Sequence, residues 1–156
     1  MKTLNYLLTG GAGYVGSELV KFLLNNGHSV KILDTFYFET NIPKKENLEI
    51  VTKDVRNIEI SDFEDIDVVI DLASISNDPS GELNPYLTYK INGEARGNTA
   101  AKARKAGVKG YILASSCSVY GFNKKNTWSE NISRQMSLPE RKEFKKWLKS
   151  HGFNLD

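Results

Sequence analysis

Apolar residues in this chain gather in short runs, separated by stretches whose apolar positions recur at helical spacing. "TLNYLLT" (3–9), "SVKILD" (29–34), "LEIVTKD" (48–54), "DVVIDLAS" (67–74) and "GYILASS" (110–116) read as strands rich in Val, Ile and Leu. Runs such as "VVIDLA" hardly alternate, which is the pattern of parallel strands buried on both faces. Between the first two runs the spacing predicts a helix from Tyr14 to Asn26, stopped by Gly27. A longer helix is predicted from Pro85 to about Ala106, with Gly107 as its stop. Strand alternating with helix predicts an α/β fold, a doubly wound parallel sheet with right-handed crossovers.

At 156 residues and 40% hydrophobic content, one domain with a single core is expected. The net charge of +2 makes nucleic acid or an acidic membrane surface an unlikely partner. A lone Cys117 excludes an internal disulfide and fits a reducing compartment. No run approaches the roughly 20 apolar residues that span a bilayer, and the N-terminus lacks a signal-peptide core. A soluble, cytoplasmic protein is the expectation. The composition shifts after Tyr120, where Lys and Arg outnumber Glu. There "SLPERKEFKKWLKS" predicts a terminal helix, with Ser137 as N-cap and Phe144, Trp147 and Leu148 on one face. Its charge reads as a solvated face before a binding patch.

The chemistry is concentrated in "LLTGGAGYVGSELVKFLL" (7–24). Gly10, Gly13 and Gly16 are spaced G-x-x-G-x-x-G, and Gly11, Gly13 and Gly16 also satisfy G-x-G-x-x-G. The first glycines permit a tight strand-to-helix turn and close approach of a pyrophosphate, while Gly16 lets the helix pack on the sheet. Tyr14 and Val15 open that helix, whose free N–H groups and positive dipole end would face the phosphates. Asp34 ends the next strand, where a dinucleotide site places its ribose-binding carboxylate. A carboxylate there accepts from two ribose hydroxyls and repels a 2′-phosphate, and no Arg follows in "DTFYF". NAD is therefore favoured over NADP. The competing reading, a structural glycine turn with an incidental Asp, has no use for the strand, turn, helix and acid in this order.

With these motifs the chain resembles the extended short-chain dehydrogenase/reductases, specifically the NAD-dependent nucleotide-sugar epimerases and dehydratases. The resemblance runs through "LLTGGAGYVGS", "LDTFYF", "KDVRN", "DLASISNDP", "YLTYKINGEARGN" and "GVKGYILASSCSVYG", over roughly residues 3 to 122. It implies a Rossmann-type sheet of about five strands in the order 3-2-1-4-5 over residues 1–122; the basic segment 123–156 is expected, from its own composition, to pack as a helix on the same domain. It implies that Asp54 and Val55 contact the adenine and that Leu72, Ala73 and Ser74 line the path to the nicotinamide ribose. Asn92 would help order the site, and Ser116 would hydrogen-bond the substrate hydroxyl as the catalytic serine. On spacing alone, Asp54 reads equally as the start of a turn. Dehydratases carry Asp-Glu directly after the serine; Cys117 and Ser118 stand there instead, which points towards epimerase-like relatives.

Asp67 and Asp71 flank an apolar strand and receive no catalytic role, although relatives commonly carry His near Asp71. Cys117 is expected to be a small packing residue, and His28 and His151 to be exposed, with no metal site. In the resembling enzymes a Tyr-x-x-x-Lys pair supplies the base for hydride transfer. No tyrosine follows Tyr120 here. The alignment sets Pro139 at the tyrosine position and Glu143 at the lysine position, with Lys142 one residue out of register. Relatives also run to about twice this length, adding a substrate-binding lobe. Three functions compete: an NAD-dependent epimerase-like enzyme completed by a partner, a non-catalytic NAD-binding module, and an interaction protein without NAD. The glycines and Asp34 disfavour the third; the missing pair favours the second for the isolated chain. A nucleotide sugar is the expected substrate. A homodimer is expected through the helix 85–106, whose Gly93, Ala95, Gly97, Ala100, Ala101 and Ala103 would admit a second helix, rather than through the edge strand.

Overall fold

In the computed structural model, residues 2–116 are described. The chain divides into two compact units, 1–114 and 115–156, and the fold below is that of the first. Five parallel strands form one sheet: β1 (Asn5–Thr9), β2 (Ser29–Asp34), β3 (Leu48–Thr52), β4 (Val68–Asp71) and β5 (Gly110–Leu113). Their order is β3-β2-β1-β4-β5, so the chain reverses its direction of travel across the sheet between β1 and β4. Register pairs Thr9 with Leu33 on one side and with Asp71 on the other. The expected order is the observed one.

The strands are non-alternating because helices cover both faces. Leu7 and Leu8 are both fully buried, yet they enter different cores, since neighbouring strand residues point to opposite sides. Leu7 joins Leu33, Val55, Phe63, Val69, Ala95 and Ala103. Leu8 joins Val20, Leu23, Leu24, Val30, Ile32 and Ile70. Each Val, Leu, Ile or Phe side chain among them contributes about 1.5–3 kcal/mol when withdrawn from water.

Helix α1 (Tyr14–Asn25) supplies Val20, Leu23 and Leu24 to the second core at helical spacing. Gly27, at φ +78°, stops it. The Gly27 and His28 N–H groups donate back to the Leu24 and Leu23 carbonyls, a Schellman closure. Gly107, at φ +81°, repeats the device, with Gly107 and Val108 donating to Arg104 and Ala103. Both predicted glycine stops are therefore real chain reversals. His28, expected to be exposed, is half-buried. Its Nδ1 accepts from the Leu4 N–H at 3.3 Å, and its ring meets Tyr6 edge-on at 5.2 Å.

The predicted single helix 85–106 is more articulated. A short α2 (Asp78–Leu83), capped by the Asn77 side chain, precedes α3 (Pro85–Tyr89), capped by Asn84. A π-helical stretch, Lys90–Ala95, then leads into α4 (Arg96–Lys105). Such widened turns are uncommon and often lie at functional sites. Ala95, Gly97 and Ala103 are buried in this chain's own packing. That half of the small-residue stripe faces inward and offers nothing to a second helix. No described helix is long and apolar enough to cross a membrane. The predicted terminal helix, Cys117, Tyr120, Pro139, Lys142, Glu143 and His151 lie outside the described residues.

Candidate dinucleotide site

The glycine turn, Asp34, Asp54 and Leu72–Ser74 all follow the carboxyl ends of strands β1 to β4. In a doubly wound sheet, ligands bind beyond those ends, at the point where the strand order reverses. Here that point lies between β1 and β4. The sequence-predicted cofactor residues are thus brought to one edge of the sheet.

Within the turn the glycines differ in what they do. Gly10 sits at φ +67°, and a Cβ there would lie 2.7 Å from the Ala73 nitrogen. A Cβ on Gly16 would lie 2.7 Å from the Gly10 oxygen and the Gly11 backbone. The fold itself demands both. Gly13 has φ −70° and ψ 177°, open to any residue, and its Cβ would meet only the Gly10 oxygen, at 3.3 Å. One close backbone oxygen is thus all that a side chain at Gly13 would meet, far less than at Gly10 or Gly16.

Gly13 is also the N-cap of α1, and it has no side chain to cap with. No acidic residue stands in the first turn. The leading N–H groups, those of Tyr14, Val15 and Gly16, precede the i→i−4 ladder and have no helical acceptor. A diphosphate suits this arrangement, because the donors and the dipole both favour an anion. The Tyr14 and Val15 side chains are largely exposed, so only their main chain belongs to the site.

Asp34 is fixed by the turn it serves. Its Oδ2 accepts from the Ala12 N–H at 3.0 Å, and its Oδ1 accepts from the Phe36 N–H at 3.0 Å. Each oxygen keeps a further lone pair for a hydroxyl. Asp54 caps a short 3₁₀ turn (Val55–Asn57) by accepting from the Arg56 N–H at 2.8 Å. Its carboxylate also takes the Arg56 guanidinium, Nη2 to Oδ2 at 2.6 Å and Nε to both oxygens. That side-chain hydrogen bonding, above all, holds the Asp54 carboxyl below the ordinary carboxylate range. The turn-starting reading of Asp54 is the one the geometry shows, and its carboxylate is occupied by Arg56. The Val55 side chain is buried in the core, leaving only its main chain for a ligand. Arg56, four residues after β3, is paired with Asp54.

Leu72, Ala73 and Ser74 leave β4 alongside the turn. The Leu72 N–H donates to the Thr9 carbonyl at 3.0 Å. Asn92, inside the π-helical stretch, grips the next residue at two points: its Oδ1 accepts from the Ile75 N–H and its Nδ2 donates to the Ile75 carbonyl, both at 2.8 Å. Asn92 therefore orders the wall and acts through Ile75. Ser116 follows β5 by three residues and is exposed.

A group that sequence reasoning passed over lies just beneath. Asp71, given no role, is fully buried at the end of β4. Thr9 Oγ1 donates to its Oδ1 at 2.5 Å, Tyr111 Oη to its Oδ2 at 2.7 Å, and Arg96 Nε to Oδ2 at 3.2 Å. Burial, and then the Asp71 charge, push the Tyr111 hydroxyl pKa far above its ordinary value. The available signal was an acid inside "VVID" together with an arginine inside a small-residue helix. Among the described residues, no cluster of His, Cys, Asp and Glu is placed to hold a metal ion.

The sequence model of the NAD dependent epimerase/dehydratase family matches residues 6–143. UDP-glucuronic acid decarboxylase 1 of Danio rerio is 36% identical over 120 residues, covering 74% of this chain and 28% of that protein. Among solved structures, the UDP-N-acetylglucosamine 4-epimerase of Methanobrevibacter ruminantium M1, in complex with UDP-N-acetylmuramic acid, superposes with a TM-score of 0.79. It is 25% identical and covers 99% of this chain and 53% of that one. MoeE5, in complex with UDP-glucose and NAD, is 29% identical with a TM-score of 0.70, over 81% of this chain and 41% of that one. This chain thus spans about half the length of these relatives or less. The glycine turn, the acid after β2, the strand order and the family match agree: the chain belongs to the NAD-dependent epimerase/dehydratase family.

Proposed function

We propose that this chain binds NAD and forms the cofactor half of a nucleotide-sugar epimerase-type oxidoreductase. The observation that carries the reading is Gly13, an N-cap glycine that the fold scarcely requires, at the open end of α1. The Tyr14, Val15 and Gly16 N–H groups would hold the pyrophosphate, and Asp34 the adenosine ribose. The main chain at Asp54 and Val55 would edge the adenine. Leu72, Ala73 and Ser74 would wall the nicotinamide side, and Ser116 would hydrogen-bond a substrate hydroxyl. When bound, NAD supplies a hydride acceptor for a sugar carbon and returns the hydride afterwards.

Turnover by the isolated chain is weak or absent. A general base contributes about 10²–10⁴-fold, and Pro139 at the expected tyrosine position cannot take a proton. The non-catalytic NAD-binding module is therefore the second reading, and the absent Tyr-x-x-x-Lys pair favours it for the isolated chain. Assembly belongs to the same proposal: a homodimer through the helical run 85–106, using Tyr86, Tyr89 and Ala101 rather than the inward-facing half of the small-residue stripe. The test is to purify the protein, titrate NAD, and then offer UDP- and dTDP-sugars. NAD binding without epimerised product above background supports the reading. Failure to bind NAD overturns it, and rapid turnover overturns the inactive part.

A further inference from the structure

We propose that Arg96 is a positioning residue for the nicotinamide half of the site, acting by clamping together the chain ends that leave β4 and β5. The proposal rests on the NAD reading above and adds a residue to which that reading gives no part.

The geometry is a fork. Arg96 Nη2 donates to the Asp71 carbonyl at 2.7 Å and to the Ala114 carbonyl at 2.8 Å. The Ala114 N–H donates to the same Asp71 carbonyl at 3.0 Å, the last rung between the two strands. One guanidinium thus continues the ladder where the strands part. β4 turns into the wall Leu72–Ser74, and the chain after β5 runs on through Ser115 to Ser116.

The cost of placing a cation here is offset by Asp71. Arg96 Nε faces its Oδ2, and the guanidinium side chain is only 12% exposed. The carboxylate is in turn held by Thr9 from β1 and by Tyr111 from β5. Three strands and one helix start therefore meet at a single ion pair. The planar guanidinium holds Nε on the Asp71 carboxylate while Nη2 bridges the two carbonyls, three acceptors on one rigid group, which a lysine ammonium on a flexible stem cannot reproduce.

Position tells which half of the cofactor is affected. Asp34 and Asp54 lie on the β2–β3 side of the switch point, where the adenosine would sit. Arg96 serves the β4–β5 side, beyond the pyrophosphate. A defect in the clamp should therefore leave ADP binding alone and weaken NAD. A role in general stability would weaken both.

The experiment uses the full chain with Arg96→Lys, which keeps the charge beside Asp71 but gives up the fork. NAD and ADP are titrated separately into wild type and variant, and amide exchange at Leu72 and Ala114 is followed. The expected result is a loss of roughly tenfold in NAD affinity, the worth of about one well-made hydrogen bond, with ADP affinity unchanged and faster exchange at both amides. Equal losses for NAD and ADP, or no loss for either, overturn the proposal. If Arg96→Lys does not fold, the neutral pair Asp71→Asn with Arg96→Gln is measured in the same way, and the same outcomes decide. Wild-type protein that binds neither ligand refutes the cofactor reading itself, and the clamp with it. Wild-type binding with an indifferent variant refutes the clamp alone.

Discussion

Gly10 lies so close to Ala73 that a methyl group on its α-carbon would come within 2.7 Å of the Ala73 amide nitrogen. The glycine turn and the wall after β4 are thus packed backbone to backbone. Gly10 also holds φ +67°, where an L side chain is strained by about 1–2 kcal/mol. Gly10→Ala should therefore lower stability sharply, because neither backbone has room to yield. Thermal unfolding without ligand measures this. A variant as stable as wild type contradicts the packing described.

Gly13 should behave in the opposite way. Its backbone angles suit any residue, and a Cβ there would meet one atom closely, the Gly10 oxygen at 3.3 Å. Gly13→Val should lose far less stability than Gly10→Ala, since only the N-cap preference and one 3.3 Å contact with the Gly10 oxygen are disturbed. It should nonetheless lose the stabilisation that saturating NAD confers, about 2.7 kcal/mol at a hundredfold excess over Kd. Equal NAD stabilisation of the variant and wild type would show that no ligand approaches Gly13.

Asp34→Ala removes an acceptor for the ribose and also two bonds that shape the turn, those from Ala12 and Phe36. NAD affinity should fall, and the preference for NAD over NADP should narrow. Titration of both dinucleotides decides. A preference retained in full places the discrimination elsewhere.

At the amino end of the sheet, Asp67 accepts from Lys109 at 2.6 Å and from the Asn5 N–H at 3.0 Å. The Lys109 hydrogen bond first, and the Asn5 N–H second, lower its pKa. A lowered folded-state value means that its contribution is complete above the unfolded value, about pH 4, and is lost as pH falls through the folded value. Asp67→Asn should flatten the acid limb of the stability curve below about pH 4. Urea midpoints at neutral and acid pH test this. An acid limb as steep as in wild type contradicts it.

Ala101→Glu places a charge on the helical run proposed as the dimer face. Light scattering at micromolar concentration should show a dimer for wild type and about the monomer mass, 17.5 kDa, for the variant. A wild-type protein already at that mass rejects the homodimer, and a variant that stays dimeric points to strand pairing.

The strands and both glycine stops were legible because they rest on local chemistry: apolar runs such as "VKIL" and positive-φ glycines at helix ends; the strand order came from the family resemblance. Strand lengths were overestimated. In "DVVIDLAS" the strand spans only Val68–Asp71, with a last bond from the Leu72 N–H to Thr9, and Ile75 is instead hydrogen-bonded by the Asn92 side chain. The π-helical stretch carries no periodic signature, so Pro85 to Ala106 read as one helix. Asp71 was missed for a different reason. Its partners come from β1, α4 and β5, and no spacing in the sequence announces a contact between Thr9, Arg96 and Tyr111. In the cofactor site the motif located Gly10, Gly13, Gly16 and Asp34. It did not distinguish Gly10 and Gly16, which the fold needs, from Gly13, which it needs less, because only the space around each Cα separates them.

The central claim is that the open end of α1, with Gly13 and Asp34, is a working NAD site in this chain. Calorimetric titration of the purified protein with NAD, and separately with NADP, tests it most directly. The account predicts saturable binding of one NAD per chain with NADP distinctly weaker. No heat of binding for either dinucleotide, or equal affinity for the two, would contradict it.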